Sequence, residues 1–272
     1  MLGFNLGVMV CLIAVLIYVL VTNKTANEQA FEVFRRFRAG FYVWIFAFLM
    51  GMDVWFFRKA GVNYVLIFEI DPRNHLSHQH IFSISAVLAC SWLIAFITEL
   101  CLSQFSRGWS PVALYLVYLL YLVNPFYFFH WKARKWLFHR VGRAWTFGVL
   151  GPVIFTDFWF ADQFNSLSSF FVDMNNMFCL VSTDLMSWSE SVERNNTGLF
   201  MQEFTDRCYW PNYGIGVFIA MLPPLMRLGQ CIRRYIESNA EFVEAKSKDP
   251  NTTMRYRGQH HLNNAMKYRV VL

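Results

Sequence analysis

The sequence predicts an all-α, polytopic membrane protein with about six transmembrane helices and the start of another. Three observations predict it. The first is composition: 56% of the 272 residues are hydrophobic and 15% are charged, against about 25% charged in an ordinary soluble domain. The second is an aromatic excess. The 29 Phe, 12 Tyr and 10 Trp exceed what one core of this size needs, and lipid-facing surface and interfacial belts account for the surplus. The third is a series of apolar runs. Each can cross a hydrocarbon core of about 30 Å, which takes about 20 helical residues.

Residues 3–21 form the first span. Gly3 and Gly7 make a small-xxx-small pair there, a pattern suited to close helix packing, as in a dimer. Residues 40–57 form the second, with Asp53 near its end. Residues 81–102 form the third, interrupted only by Ser and by Glu99, and Ser77 is placed to cap it. Residues 111–129 form the fourth, which Asn124-Pro125 kinks or ends. The run HWKARKWLFHRVGR at 130–143 is basic and aromatic. It reads as an amphipathic helix facing anionic lipid, not as a nucleic-acid site. Residues 145–160 are apolar but short, an interfacial or re-entrant piece leading onward. Residues 162–185 form the fifth span and 213–232 the sixth, bent by Pro223-Pro224.

Charge sets the orientation. With the N-terminus in the cytosol, seventeen of the 24 Lys and Arg residues fall in inner loops and seven outside, as the positive-inside rule requires. Both termini are then cytosolic, in the plasma membrane or the Golgi. Arg35, Arg36 and Arg38 fall in an outer loop on this reading and are discordant with it. The glycosylation sequons at Asn23 and Asn195 both fall outside, and Asn195 is the better acceptor because Asn23 lies close to the membrane. The sequon at Asn251 lies inside and stays bare. The first run is too long for a signal-peptide core and lacks a basic leader, so no cleavable signal is expected.

Six cysteines are too few for a disulfide scaffold. Cys11 and Cys90 sit within spans and Cys231 faces the cytosol. Cys101, Cys179 and Cys208 lie in the outer half, where one pair can oxidise. His75, His78 and His80 have no Cys or carboxylate at a familiar metal-ligand spacing and read as interfacial. No phosphate loop, dinucleotide fingerprint or nucleophile elbow is present. Neither an enzyme, a metal nor a cofactor is expected.

The stretch TDFWFADQFNSLSSFFVD, residues 156–173, carries the functional signal. At about 100° per residue, Asp162, Asn165, Ser166, Ser169, Asp173 and Asn176 share one helix face, and phenylalanines cover much of the rest. Polar and ionisable groups inside a membrane are costly and mark substrate pathways. The competing reading is a helix that hydrogen-bonds its neighbours in a bundle.

Four blocks in order carry a family resemblance: GVNYVLIFEIDPR (61–73), LSHQHIF (76–82), FADQFNSLS (160–168) and QCIRRY (230–235). Together the chain resembles the SPX–EXS family of phosphate exporters, the group of the xenotropic and polytropic retrovirus receptors. The resemblance runs from about Gly3 to Tyr268. It implies export of inorganic phosphate through a dimeric, all-helical membrane protein. It places the start of the EXS domain at about residues 207–272. It maps the phosphate pathway onto Asp162, Asn165, Ser168, Lys267, Tyr268, Arg227, Arg233 and Arg234, and it implies a disulfide between Cys179 and Cys208. Periodicity puts Ser169 nearer the stripe's centre than Ser168; the family match favours Ser168. The chemistry is consistent: carboxylate or amide oxygens accept from P–OH groups, Asn, Ser and Tyr donate to phosphoryl oxygens, and Lys and Arg supply countercharge.

The resemblance also implies a cytosolic SPX sensor before the first span and further helices after Leu272, so the chain is expected to hold part of the pathway. Two functional readings follow. One is a phosphate exporter or its opening part. The other is a non-transporting truncated subunit, or a cell-surface receptor scaffold, that pairs with a full-length relative. Expected partners are phosphate, membrane lipid and a second copy or full-length relative, with no nucleic acid.

Overall fold

The computed structural model describes residues 2–106, 109–124, 126, 130–149, 151–187, 210–248 and 258–271. These form helices α1 (Leu2–Thr22), α2 (Lys24–Lys59), α3 (Tyr64–Ile67), α4 (His78–Ser106), α5 (Trp109–Val123), α6 (Trp131–Ala144), α7 (Phe155–Ser166), α8 (Ser168–Ser187), α9 (Trp210–Lys248) and α10 (Gly258–Val271), with no strand among the described residues. Among the described residues, four segments are long and apolar enough to cross a membrane: Leu2–Thr22, Val33–Lys59, His78–Leu102 and Gly214–Lys248. Trp109–Val123 is a shorter apolar helix. The protein is a polytopic helical membrane protein.

The first four expected spans fall on α1, α2, α4 and α5, and the sixth falls on α9. Three differences have physical reasons. Helix α2 continues towards its N-terminus through Arg35, Arg36 and Arg38, which are helical and not in a loop. Asn23 starts it as N-cap, accepting from Ala26 N at 3.2 Å. Helix α5 stops at Val123 because Asn124 Oδ1 takes the Phe126 N–H at 2.9 Å, a local turn that competes with helix. The stretch 162–185 is divided at Leu167, which has φ −100° and ψ 23° and donates its N–H to Gln163 O and Phe164 O. The polar stripe therefore lies on two helices and not one.

The chain forms two compact units. The first comprises Met1–Tyr64, Pro72–Trp131 and Phe170–Gly216. Its core joins Phe37, Trp92, Phe96, Leu114 and Tyr118. Trp92 stacks on Phe96 at 4.9 Å, and its indole N–H reaches Phe37 O at 2.9 Å, so the ring is buried with its polar edge satisfied. Gly40 lets α2 approach closely: a Cβ there would lie 3.1 Å from Leu114 and 3.2 Å from Trp92. Arg36 pairs with buried Glu99 at 3.3 Å, and Arg38 grips buried Asp173 through Nε and Nη2. Two of the arginines that looked discordant in a loop are thus paired inside the bundle. Ser77 precedes α4 as expected, with its hydroxyl 3.5 Å from His80 N. His80 lies against the His130 ring at 5.1 Å, and no metal-binding group of three or more ligands occurs among the described residues.

The second unit comprises Val65–Asp71, Lys132–Ser169 and Val217–Leu272. Helix α6 is amphipathic, as its sequence implies. Arg134 and Ala144 are buried, while Lys132, Lys135 and His139 are exposed. The turn after α6 holds Phe147 at φ 55° and Gly148 at φ +78°. It seats on α9 at Gly229, where a Cβ would lie 2.7 Å from Phe147 O. Only glycine fits that approach.

Cys179 is disulfide-bonded, and Cys11, Cys90, Cys101 and Cys231 are free. Cys208 and Asn195 lie outside the described residues.

Candidate functional site

Helix α7 is pinned before it presents anything. Its N-cap, Ile154, is extended, and Asp157 at the third position turns back to accept the Ile154 N–H at 3.4 Å. A carboxylate there also complements the positive end of the helix. The same carboxylate accepts Arg143 Nε at 3.1 Å and Nη2 at 3.0 Å, and Arg143 Nη2 also donates to Pro152 O. Thr156, fully buried, donates to Phe68 O at 3.0 Å. These contacts fix the start of α7, and Asp162 follows five residues after Asp157.

Three elements meet at Asp162. Arg227 of α9 sits with its Nε 2.5 Å from Asp162 Oδ1. Tyr268 of α10 donates to the same oxygen at 3.4 Å and accepts from Arg227 Nε at 3.3 Å. The guanidinium carbon lies 4.7 Å from the Phe158 ring centre and 5.5 Å from that of Tyr268. Two aromatic faces thus hold the cation as a packing wall and as cation–π partners. Arg227 is 9% exposed, whereas Asp162 is 49% exposed. The site is a sequestered cation with a carboxylate that reaches open space.

Gln230 completes it. It is 1% exposed, one turn after Arg227 on α9. Its Nε2 donates to Asp157 O at 3.1 Å, and its Oε1 accepts Arg227 Nη1 at 3.4 Å. Sequence reasoning quoted this residue inside a motif and gave it no role. The spacing of three from Arg227 is the signal that marks it as sharing that helix face. Phe158 also went unassigned.

The expected pathway residues divide. Asp162, Arg227 and Tyr268 come together. Asn165 stands on the last turn of α7, half-buried, and Ser168 opens α8, half-buried. No hydrogen bond or ion pair joins either to the Asp162 group among the described residues. Lys267 is exposed beside Tyr268. Arg233 pairs with Glu237 at 2.8 Å and Arg234 reaches the same carboxylate at 3.9 Å. Burial, with Arg234 and His260 nearby, holds the His261 imidazole below its usual range. Of the stripe, Ser166 returns its hydroxyl to Asp162 O at 3.1 Å, and Asp173 is taken by Arg38.

Residues 33–272 match the EXS family model. The chain belongs to the EXS family. It is 34% identical over 250 residues to Solute carrier family 53 member 1 of Mus musculus, covering 88% of this chain and 34% of that protein. It is 36% identical over 246 residues to the Xenotropic and polytropic retrovirus receptor 1 homolog of Danio rerio, covering 88% and 35%. The Xenopus laevis homolog is 36% identical over 220 residues, covering 79% and 30%. The chain spans about a third of the length of the curated relatives it matches.

Proposed function

We propose that this EXS chain forms part of a phosphate export pathway, with Asp162, Arg227 and Tyr268 as anion contacts. The observation that carries the reading is the one-point pair between Arg227 Nε and a half-exposed Asp162. The bundle pair Arg38–Asp173 engages two guanidinium N–H groups and buries the carboxylate. At Arg227, Nη2 makes no hydrogen bond among the described residues, and the Asp162 carboxylate stays open. An entering oxyanion replaces part of the Asp162 contact on the guanidinium. Tyr268 donates to a phosphoryl oxygen, and Asp162 accepts from a P–OH group. Few contacts of this kind permit both capture and release. Asn165, Ser168, Lys267, Arg233 and Arg234 extend the pathway on either side in this reading. One of the relatives is named as a solute carrier, which agrees with a transport role.

The same reading puts both termini in the cytosol of a plasma-membrane or Golgi protein, with Asn195 glycosylated outside. It pairs Cys179 with Cys208 and assembles the chain as a dimer, with a second copy or a full-length relative. The free state of Cys101 supports that cysteine pairing.

The test is efflux of radiolabelled phosphate in a full-length context. Asp162→Ala and Asn165→Ala should each lower efflux per surface molecule by at least about tenfold, the effect of about 1.4 kcal/mol of lost contact, with surface abundance near normal. Normal efflux per molecule in both variants sinks the assignment.

A further inference from the structure

Gln230 is buried to 1% exposure in a membrane helix, where an amide is costly unless every polar atom is met. Its surroundings meet both atoms, and they assign the amide's direction. The Asp157 carbonyl only accepts, so the NH2 group faces it at 3.1 Å. The guanidinium only donates, so the amide oxygen faces Arg227 Nη1 at 3.4 Å. A donor and an acceptor at one side-chain tip are needed here. Met supplies neither, and an ionised Glu sets acceptor against acceptor at the Asp157 carbonyl.

The consequence falls on Arg227. With Nη1 tied through Gln230 to the backbone of α7, turning the guanidinium plane about its long axis breaks that bond. Its Nε is then held towards Asp162 and Tyr268. A planar fork recognises an oxyanion only in one plane, so fixing that plane is part of recognition.

We propose that Gln230 is a positioning residue for anion binding, its amide locking the plane of Arg227 so that the Nε and Nη2 edge faces the oxyanion. The proposal rests on the phosphate reading of the Asp162 site. Gln230 itself does not touch the anion.

A carboxylic acid in its protonated form reproduces the amide's pattern, with one O–H donor and one carbonyl acceptor. This supplies a rescue that simple packing damage does not share. The charged or titratable groups in this cluster, among the described residues, include Arg227 on its own helix, Asp157 and Asp162 from α7, Tyr268 from α10, and Arg140 and Arg143 of α6 on the Asp157 carboxylate. Cys231 is adjacent in the chain.

The experiment measures inorganic phosphate affinity of the whole chain in lipid nanodiscs, with each variant expressed as a ratio to the parent at every pH. Gln230→Met should bind about tenfold more weakly at all pH values, the scale of one lost charge-assisted hydrogen bond. Gln230→Glu should be at least about tenfold weaker at pH 7.5, and its ratio to the parent should narrow as pH falls. Arg227→Ala separates this proposal from the reading beneath it. If Arg227→Ala weakens binding while both Gln230 variants match the parent, the positioning role is wrong and the phosphate site stands. If Arg227→Ala also leaves affinity unchanged, the phosphate reading falls and Gln230 with it. Should Gln230→Met fail to fold, the Glu variant decides alone: a ratio that stays flat with pH overturns the proposal.

Discussion

Arg38 grips Asp173 with Nε and Nη2 together, and the aspartate side chain is 3% exposed while the arginine side chain is 41% exposed. Arg227 meets Asp162 through Nε alone, and there the burial is reversed, with the arginine 9% and the carboxylate 49% exposed. Both carboxylates come from the same polar stripe, both partners are arginines, and each pair lies within its own compact unit. Residue type therefore does not separate glue from site. The number of guanidinium N–H groups engaged and the choice of buried partner do. In the first pair the anion is fully matched and closed off, which suits a bundle clamp. In the second the cation is anchored and the anion is left in the open, which suits exchange with a passing oxyanion.

The largest expected effect breaks the closed pair. Arg38→Ala leaves Asp173 buried and uncompensated, which should cost about 3–5 kcal/mol. Thermal unfolding of the purified chain in detergent measures it. Arg227→Ala should cost less in the same measurement, because Asp162 remains half in solvent. Equal losses for the two would erase the distinction drawn here.

Next in size is a crossed comparison in a full-length context. Asp173→Ala should lower surface abundance while each surviving molecule exports phosphate normally. Asp162→Ala should do the reverse. A matching pattern for the two, whichever it is, would mean that the stripe acts as one functional element after all.

Gly229→Ala comes third. Its Cβ would lie 2.7 Å from Phe147 O and 2.9 Å from Phe147 Cβ, and the blocking atoms include backbone. Overpacking of this kind costs about 1–3 kcal/mol. Because Gln230 is the next residue, phosphate affinity should fall along with stability. Unchanged stability would show that the turn at Phe147 yields without cost.

The smallest effects come from the serines. Ser166→Ala removes only a back-bond to Asp162 O and should shift stability by less than about 0.5 kcal/mol. Ser168→Ala should reduce efflux more than Ser169→Ala, since Ser169 is exposed and Ser168 half-buried. The opposite order would favour simple periodicity over family position.

Much of the chain was legible beforehand. Long apolar runs, few charges and abundant aromatics require helices in a bilayer, because a backbone in hydrocarbon must satisfy its own hydrogen bonds. The blocks around Asp162 and Gln230 marked the family, and Asp162, Arg227 and Tyr268 were named from it. The break at Leu167 was not legible. Leu is a good helix former, and no Gly or Pro stands beside it to announce an end. The continuous stripe was an artefact of treating residues on both sides as one helix.

The sequence by itself determined class, approximate spans and the identity of the polar residues, since these follow from local hydrophobicity and composition. Only the tertiary structure decided what each polar residue does. Asp173 becomes a clamp because Arg38, 135 positions away, reaches both its oxygens. Arg36 and Arg38 are helical residues paired with Glu99 and Asp173, which lie 63 and 135 positions away. Gln230 matters because the Asp157 carbonyl, 73 positions away, lies within reach of its amide. Partner choice across such separations depends on how helices pack, and no window along the chain contains that information.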